Sequence, residues 1–113
     1  MPIYHILPRL LWEQALAQGE YRAVSLETEG FMHASTREQV LDTASRYYRG
    51  QMGLVLLAID PDRVQSEVRF DPVILNGTQT TFPHIYGPLN IDAVEAVLDF
   101  PPNADGSFNF PEE

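Results

Sequence analysis

The three histidines of the chain are the residues whose type and setting best suit chemistry. Each lies in a short apolar stretch: His5 in "IYHIL" (3–7), His33 in "GFMHAS" (30–35) and His84 in "TTFPHIYGPL" (80–89). A single histidine on a half-buried strand is commonly structural, with its ring packed and its N–H bonded to a carbonyl group. Three histidines in the same setting favour a shared site, because imidazoles ligate metals, transfer protons and hydrogen bond ligands.

Neighbours of two histidines are further candidates. Tyr86 lies two residues after His84 and therefore on the same face of a strand, where its ring could stack on a planar ligand, although a core aromatic is the commoner case. Gly87 ends that stretch and, without a Cβ, would let a ligand approach the backbone closely. Ser35 lies two residues after His33 and could pair with it, but it also suits the N-cap of a following helix.

The composition excludes several kinds of chemistry. The chain has no cysteine and no lysine, which rules out disulfides, thiolate nucleophiles, cysteine-ligated metals and Schiff bases. A formal net charge of −9 disfavours broad binding to nucleic acids or anionic membranes, since both require a basic surface. All seven basic residues are arginines, and a local pocket for one phosphate is compatible with this balance. Arg69 is the stronger candidate for it, because Arg46 is better explained as a surface charge.

The expected cellular setting follows from what the sequence lacks, whereas the expected small-molecule partner follows from the three histidines. The longest apolar run near the middle, residues 54–59, is too short to span a membrane. The N-terminus has neither the basic region nor the cleavage site of a signal peptide. We therefore expect a cytoplasmic protein that binds a small-molecule ligand.

The first half of the chain alternates strands with helices. "IYHI" predicts a strand, and Pro8 opens a helix that ends near Gly19. The predicted buried face of that helix consists of Leu10, Leu11, Ala15 and Leu16. "GFMHAS" predicts a second strand, and residues 35–50 predict a second helix with Ser35 or Thr36 as its N-cap.

The second half of the chain is mostly strands. "LVLLAID" (54–60) is a continuous apolar run and predicts a central strand. "EVRFDPVIL" (67–75) predicts a strand whose end is at an edge or a bend, because Pro72 cannot donate to a ladder. Asn76–Gly77 predicts a tight turn, followed by a short strand at "HIYG". Residues 92–100 fit a helix or a strand, and a strand is favoured for their second half.

Early helices and late strands predict an α+β fold with a largely antiparallel, twisted sheet and two helices. The first strand is not followed by a glycine-rich turn, which disfavours a doubly wound nucleotide-binding fold. Residues 1–100 are expected to form a single globular domain. Residues 101–113 form a polar, proline-bearing tail that is expected to be ordered only if its phenylalanines dock.

Several short motifs together resemble one bacterial family, the domain of unknown function 952. They are "IYHI", Trp12, Ala15, Gly19 and Tyr21 in "W..A...G.Y", "SLETEGFMHAST", "LVLLAID" and "FPHIYGPL". The resemblance runs from about residue 3 to residue 100, with its elements in the order of the family. Where the family form has an isoleucine and a cysteine around the second histidine, this chain has Met32 and Ala34, so the site does not require a thiol.

The resemblance implies a fold grouped with the ADP-ribosyltransferase-like folds, which include NAD-using RNA 2′-phosphotransferases. In that superfamily a first-strand histidine holds the adenosine ribose, an aromatic ring stacks on nicotinamide, and a late glutamate often promotes loss of nicotinamide. By resemblance, His5 matches the ribose-binding histidine, and His33 and Phe31 lie on the strand that carries the aromatic ring. "FPHIYGPL" stands where the glutamate is expected but offers His84 and Tyr86, a departure from ordinary ADP-ribosyl transfer.

The leading hypothesis is a histidine-lined cleft that binds NAD or an ADP-ribose derivative, in a protein that is a candidate transferase. Its candidate catalytic residues are His33 and His84. Its candidate ligand-binding residues are His5, Phe31, Ser35, Arg69, Tyr86 and Gly87. One alternative is a metal-dependent enzyme with the three histidines as neutral ligands. The other is a non-catalytic binding module in which the histidines are structural.

Overall fold

The computed structural model describes residues 1–111 of the 113-residue chain. The strands are β1 (Ile3–Pro8), β2 (Glu20–Tyr21), β3 (Met32–His33), β4 (Leu54–Ile59), β5 (Glu67–Leu75), β6 (Thr78–Tyr86), β7 (Leu89–Asn90) and β8 (Val94–Asp99). The helices are α1 (Arg9–Gln18), α2 (Val24–Thr28) and α3 (Val40–Tyr47). Single 3₁₀ turns lie at Pro61–Arg63 and Ile91–Ala93. The predicted α+β class is confirmed, and none of the helices within residues 1–111 is long and apolar enough to cross a membrane.

The strands form three small sheets, which corrects the expectation of one sheet. Their orders are β1-β4-β8, β2-β7 and β3-β6-β5, and each strand pair is antiparallel, as predicted. An isolated bridge between Tyr4 and Ser35 connects the first sheet to the third. The sheets are separate because β2, β3 and β7 have only two residues each and cannot extend a ladder across the molecule.

β4 lies at the centre of the first sheet, as its sequence predicts. All six of its residues are buried, because apolar side chains cover both faces of the sheet. One core includes Ile3, Leu7 and Val55, together with Trp12 and Ala15 of α1. The other includes Tyr4, Ile6, Leu56, Val40 and Ala44 of α3, Phe100 and Phe108. Burial on both faces explains why the run at β4 shows no polar alternation.

The hairpin of β5 and β6 forms one wall of the candidate site. Asn76 and Gly77 connect the two strands with φ angles of 50° and 77°, the positive values that a tight two-residue hairpin turn requires. The turn fixes the register, which pairs Arg69 with His84. β5 is the edge strand of its sheet, so Pro72 costs no ladder bond on its outer side.

The helices differ from the prediction at three points. α1 ends at Gly19 as expected, but it buries Trp12 and Ala15, whereas Leu10, Leu11 and Leu16 are 65%, 40% and 52% exposed. Ala15 is buried as predicted, but the three leucines are not, because the buried face of the helix is centred on Trp12 and Ala15. A third, short helix, α2, was not predicted.

The beginning of α3 is later than its sequence suggests, and Ser35 is not its N-cap. The backbone of Ser35 exchanges two hydrogen bonds with Tyr4, each of 2.8 Å. A turn over residues 36–39 follows, and Gln39 takes the N-cap position of α3. The side chain of Gln39 accepts a 3.0 Å hydrogen bond from the backbone N–H of Thr36. The bridge to β1 delays the helix by holding Ser35 in an extended conformation.

Residues 100–110 return to the first sheet through their aromatic side chains. Phe108 stacks on Phe100 with ring centroids 4.7 Å apart, and Phe110 meets the ring of Tyr4 edge to face at 5.3 Å. The guanidinium carbon of Arg37 lies 3.4 Å from the centroid of Phe110. The phenylalanines therefore dock, which is the condition that the sequence sets for order in this segment. Glu112 and Glu113, the acidic end of the predicted tail, lie outside the described residues.

Candidate functional site

One face of the β3-β6-β5 sheet collects polar and aromatic side chains. His33 and His84 are directly paired across β3 and β6, and their rings meet edge to face with centroids 5.4 Å apart. Alternation along the strands places Arg69, Asp71 and Tyr86 on the same face. The opposite face carries Met32 and Ile85, which lie in the core. Two of the three histidines are thus brought together by strand pairing alone.

Asp71 of β5 connects two of the predicted site residues. Its Oδ2 accepts a 2.9 Å hydrogen bond from His84 Nδ1 and a short hydrogen bond from the Tyr86 hydroxyl. The hydrogen bonds from Tyr86 and His84 hold the pKa of Asp71 below its ordinary value. The bond to Asp71 in turn raises the pKa of Tyr86. The carboxylate therefore stays ionised while the phenol stays neutral at ordinary pH.

Phe31 covers this cluster from above. Its ring stacks on His84 with centroids 4.1 Å apart and an interplanar angle of 18°, and it contacts Tyr86 at 5.4 Å. It also meets the ring of His33 edge to face at 5.1 Å. His84 is only 5% exposed, whereas Phe31 itself is half-buried. Phe31 therefore covers the cluster on its solvent side, and its ring is the one that a ligand could displace.

A cavity of about 670 Å³ opens between this face and α3. The sheet contributes Phe31, His33, His84, Phe82, Val73 and Leu75; β1 contributes Tyr4, His5 and Ile6; α3 and the residue after it contribute Thr43, Arg46, Tyr47 and Tyr48; Glu29, Ala34 and Ser35 complete the lining. The lining is mainly apolar and aromatic, with polar groups contributed by β1, the β3-β6-β5 sheet and α3. This is the composition typical of small-molecule sites, whose volumes run from about 300 to 1,000 Å³.

His33 lies at the exposed side of the cavity. Its Nε2 is 3.1 Å from Glu29 Oε2, and the two side chains are 56% and 49% exposed. A pair so exposed contributes little to stability. It does place an acidic and a basic group side by side on the lining.

His5 lines the cavity, and its ring nitrogens already have partners within the protein. Its Nδ1 donates a 2.5 Å hydrogen bond to the carbonyl oxygen of His33, and its Nε2 lies 3.4 Å from the Tyr21 hydroxyl. Burial lowers the pKa of His5, so the ring is neutral and Nε2 accepts from Tyr21. Both ring nitrogens are engaged within the protein. His5 therefore supports β3 through the His33 carbonyl, and the expected hydrogen bond to a ribose would require it to leave one of these partners.

Ser35 lines the cavity but does not pair with His33. Its hydroxyl lies 3.1 Å from the Thr43 hydroxyl of α3, and its backbone bridges to Tyr4. Ser35 therefore joins β1 to α3 at the floor of the cavity. The suggested Ser35–His33 pair is wrong, because the two side chains have different partners.

Three of the predicted ligand-binding residues do not line the cavity. Arg69 lies beside it, with its guanidinium carbon 4.7 Å from the centroid of the Tyr86 ring and a 2.6 Å bond from Nε to Glu67. Tyr86 is not on the lining either, but its ring contacts Phe31, which is.

Gly87 is turned away from the cavity. A Cβ at this position would overlap Ser66 Oγ and lie 2.9 Å from Ser66 Cβ. Its missing side chain thus makes room for Ser66 rather than for a ligand, which corrects the interpretation made from the sequence.

Arg46 lies on the lining, whereas Arg69 was the stronger candidate from the sequence. Its Nε donates a 2.9 Å hydrogen bond to Asp42 one helical turn earlier, and that bond raises the pKa of Arg46. Arg46 is the arginine that lines the cavity, where it is paired with Asp42.

The described residues give no geometric support to a metal centre. Within residues 1–111, His, Cys, Asp and Glu side chains do not form a group of three or more that could hold a metal ion. The three-histidine alternative requires such a group, and both ring nitrogens of His5 already have partners in the protein.

Asp71 is the site residue that the sequence interpretation missed. It lies 13 residues before His84 and outside the motif that holds it. A signal was nonetheless present, because the Asn76–Gly77 turn fixes the register of the two flanking strands. Counting back from that turn pairs Arg69 with His84 and Asp71 with Phe82, which makes Asp71 the diagonal neighbour of His84.

The fold and the cavity define a small single-domain α+β protein with antiparallel sheets and a histidine-bearing pocket. Residues 6–97 match the family described as "Protein of unknown function (DUF952)", and the chain belongs to that family. The crystal structure of protein CC0527 from Caulobacter crescentus is similar, with 34% identity, a TM-score of 0.86 and coverage of 96% of this chain and 94% of that one. The solution structure of CC0527 has 35% identity, a TM-score of 0.72 and coverage of 94% and 90%.

These comparisons establish the family and leave its activity open. No curated protein matches the sequence. The predicted family membership is confirmed, whereas the ADP-ribosyltransferase-like relationship is not shown by the matching structures and stays a prediction.

Proposed function

We propose that the cavity binds a nucleotide-like small molecule, specifically NAD or an ADP-ribose derivative. The observation that carries the proposal is the Phe31–His84 stack at the wall of a cavity of about 670 Å³. A planar ring that already stacks on one partner can exchange it for the flat base of a nucleotide at little energetic cost, since both contacts are aromatic stacking. The volume falls in the range that holds such ligands.

The polar groups of the lining suit the rest of such a ligand. Ribose hydroxyls need neutral donors and acceptors, which His33, Ser35 and Thr43 supply. A phosphate needs a cation, and Arg46 is on the lining at the edge of the cavity. In this arrangement Arg46 exchanges its exposed bond with Asp42 for a bond with the phosphate. The net charge of −9 opposes binding of polyanions but does not prevent one local contact of this kind.

Group transfer from the ligand is the reaction class that we propose, with His33 and His84 as the acid–base groups. Histidine is suited to this role because its ordinary pKa lies near neutral pH. Support for NAD in particular comes from the resemblance of the family to ADP-ribosyltransferase-like proteins. Asp71, Glu29 and Glu67 are carboxylates near the histidine face, although "FPHIYGPL" itself has none.

Binding can be tested with two phenylalanine variants that differ mainly in position. Phe31→Ala removes the ring that stacks on His84, whereas Phe70→Ala removes a 53% exposed ring from the other face of β5. Calorimetric titration with NAD and with ADP-ribose should show binding to the wild type and to Phe70→Ala. Phe31→Ala should weaken it about tenfold, the usual worth of one aromatic stack.

Two results would count against this function. One is the absence of binding of either nucleotide to the wild type at millimolar concentration. The other is an equal effect of the two phenylalanine variants, which would place the ligand away from the histidine face. Binding without any release of nicotinamide from NAD would leave the cavity as a binding module and remove the proposed transfer.

A further inference from the structure

We propose that Asp71 selects, for the neutral form of the His84 ring, the tautomer with its proton on Nδ1, so that the unprotonated Nε2 accepts a hydrogen bond, and then a proton, from a ligand hydroxyl in the cavity. Asp71 is then a positioning residue and His84 the proton acceptor. The identity of the hydroxyl as a ribose group rests on the nucleotide function proposed above. The tautomer itself does not.

The contact between the two side chains fixes the direction of the hydrogen bond. A carboxylate has no proton to donate, so the 2.9 Å bond between His84 Nδ1 and Asp71 Oδ2 requires the proton to lie on Nδ1. A neutral imidazole carries only one ring proton, which leaves Nε2 with a free lone pair. The same oxygen of Asp71 also accepts from the Tyr86 hydroxyl. These two donors anchor the carboxylate, and the carboxylate in turn orients the ring.

The second ring nitrogen reaches the cavity. His84 is 5% exposed and lines the cavity, and the contact of Nδ1 with Asp71 is its one side-chain hydrogen bond among the described residues. Within residues 1–111, every fully buried side-chain nitrogen or oxygen has a hydrogen-bond partner. Nε2 has none there, so it is not fully buried. The cavity is the open space that His84 lines, so we assign the accessible Nε2 to it.

The proton balance of the step is complete without a further reagent. The hydroxyl proton of the ligand passes to Nε2, and its oxygen keeps the electron pair. The ring becomes an imidazolium that still donates from Nδ1 to the Asp71 carboxylate, which stabilises the new charge without itself taking a proton. Return of the proton from Nε2 restores the starting state.

The exposed pair of His33 and Glu29 is less suited to this role. Their contact of 3.1 Å joins side chains that are about half exposed, where water screens the interaction and either partner can turn away. The ring of His84 is held between Phe31 and Asp71. Because a buried, anchored ring keeps one tautomer, the proton acceptor is His84 and not His33.

The tautomer can be measured directly, because the chain contains only three histidines. Long-range nitrogen–proton correlation spectra of the imidazole rings at about pH 8.5, where ordinary imidazoles are neutral, distinguish a protonated from an unprotonated ring nitrogen. Single substitutions His5→Asn, His33→Gln and His84→Gln assign the three rings. ADP-ribose is then added to the wild type as the probe ligand.

Asp71→Leu and Glu67→Leu form a matched pair of variants. Both replace a carboxylate on the same face of β5, but only Asp71 bonds to His84. The wild type and Glu67→Leu should show His84 with Nδ1 protonated, and Asp71→Leu should lose that signature. ADP-ribose affinity should fall about tenfold in Asp71→Leu and change by less than about twofold in Glu67→Leu.

The outcomes separate this inference from the nucleotide function. A proton on Nε2 in the ligand-free wild type would overturn the inference whether or not ADP-ribose binds, and it needs no variant to fold. Binding of ADP-ribose with no change at the Nε2 resonance would also overturn it, because the hydroxyl would then lie elsewhere. An Nδ1 proton on His84 with no response of any ring to ADP-ribose or NAD would instead overturn the nucleotide function and keep the role of Asp71.

Discussion

His33 and His84 occupy directly opposed positions of two antiparallel strands, and their rings meet edge to face with centroids 5.4 Å apart. β3 has only two residues, so little regular ladder holds His33 in place. The remaining support comes from the hydrogen bond of the Ala34 N–H to the Pro83 carbonyl at 3.0 Å and from His5, which donates to the His33 carbonyl. The geometry of the exposed His33 thus depends on the half-buried His5.

The partly buried ring of His5 makes stability depend on pH near neutrality. Burial lowers the pKa of His5 below its ordinary value of 6.5, so the unfolded chain binds this proton more readily than the folded one. Its contribution is complete above about pH 6.5 and is lost as the pH falls below that value. Urea unfolding of the wild type should therefore show lower stability at about pH 5.5 than at about pH 7.5, with a slope of at most about 1.4 kcal/mol per pH unit for this proton.

His5→Asn is the control for that dependence. An asparagine amide can place a donor near the position of Nδ1 and does not titrate, so the hydrogen bond to the His33 carbonyl can persist. We expect this variant to lose about 1 kcal/mol at pH 7.5 from the missing contact with Tyr21. The difference in stability between the two pH values should shrink. An equal loss of stability in the variant on acidification would assign the dependence to another group.

Sequence patterns predicted the parts of the fold that local chemistry decides. The Asn76–Gly77 turn needs two positive φ angles, and Gly19 supplies a left-handed C-cap. The residue types at these positions therefore predict the turn and the end of the helix directly. The apolar run of β4 predicts a central strand correctly because both faces of that strand are buried. The prediction of Ser35 as an N-cap was wrong because a serine before a helical pattern has the same local sequence signature in both cases. The signature does not change when the backbone of the serine instead hydrogen bonds to a distant strand, here at Tyr4.

The candidate site was only partly predictable for the same reason. His33 and His84 stand out in the sequence as candidates. Their pairing, however, requires β3 and β6 to be adjacent, which the sequence does not show. The orientation of His5 depends on Tyr21 and on the position of β3, which are tertiary contacts. The exposed Leu10 and the buried Trp12 likewise reflect which side of α1 the core accepts. Asp71 was within reach of sequence reasoning, because the hairpin register alone makes it a neighbour of His84.

The Asp71 carboxylate should make the protein sensitive to strong acid. Its folded-state pKa is lowered from the ordinary value of 3.8 by hydrogen bonds from Tyr86 and His84. The stability that it contributes is present above about pH 3.8 and is lost as the pH falls through the folded-state pKa. Asp71→Asn removes this group, so the stability difference between wild type and variant should narrow from pH 6 to pH 2. A difference that stays constant or widens on acidification would contradict the assigned direction.

Gly87 should tolerate a side chain only if Ser66 makes room. A Cβ at Gly87 overlaps the Ser66 side chain, and Ser66 Oγ also donates a 2.7 Å hydrogen bond to the Pro88 carbonyl. We expect Gly87→Ala to destabilise the protein by about 1–3 kcal/mol, measured by denaturant unfolding. The double variant Gly87→Ala/Ser66→Gly should lose less than the sum of the single losses. If the two single losses of stability simply added in the double variant, the overlap with Ser66 would not be the cause of the effect at Gly87. A ligand-binding role for Gly87 would then have to be tested.

Phe108 should anchor residues 101–110 to the second core of the first sheet. The side chain is 6% exposed and stacks on Phe100, which is 1% exposed. Phe108→Ala removes that contact and leaves a void beside Tyr4 and α3, so we expect a loss of about 3 kcal/mol and a melting temperature lower by roughly 10 °C or more. Ala104→Ser, at an exposed position of the same segment, serves as the control and should change stability by less than about 0.5 kcal/mol. One side of α3 covers this core, and the other side forms a wall of the cavity. Phe108→Ala should therefore also lower the affinity of the cavity for any ligand. An unchanged melting temperature of Phe108→Ala would mean that residues 101–110 are not docked in solution and that the core is stable without them.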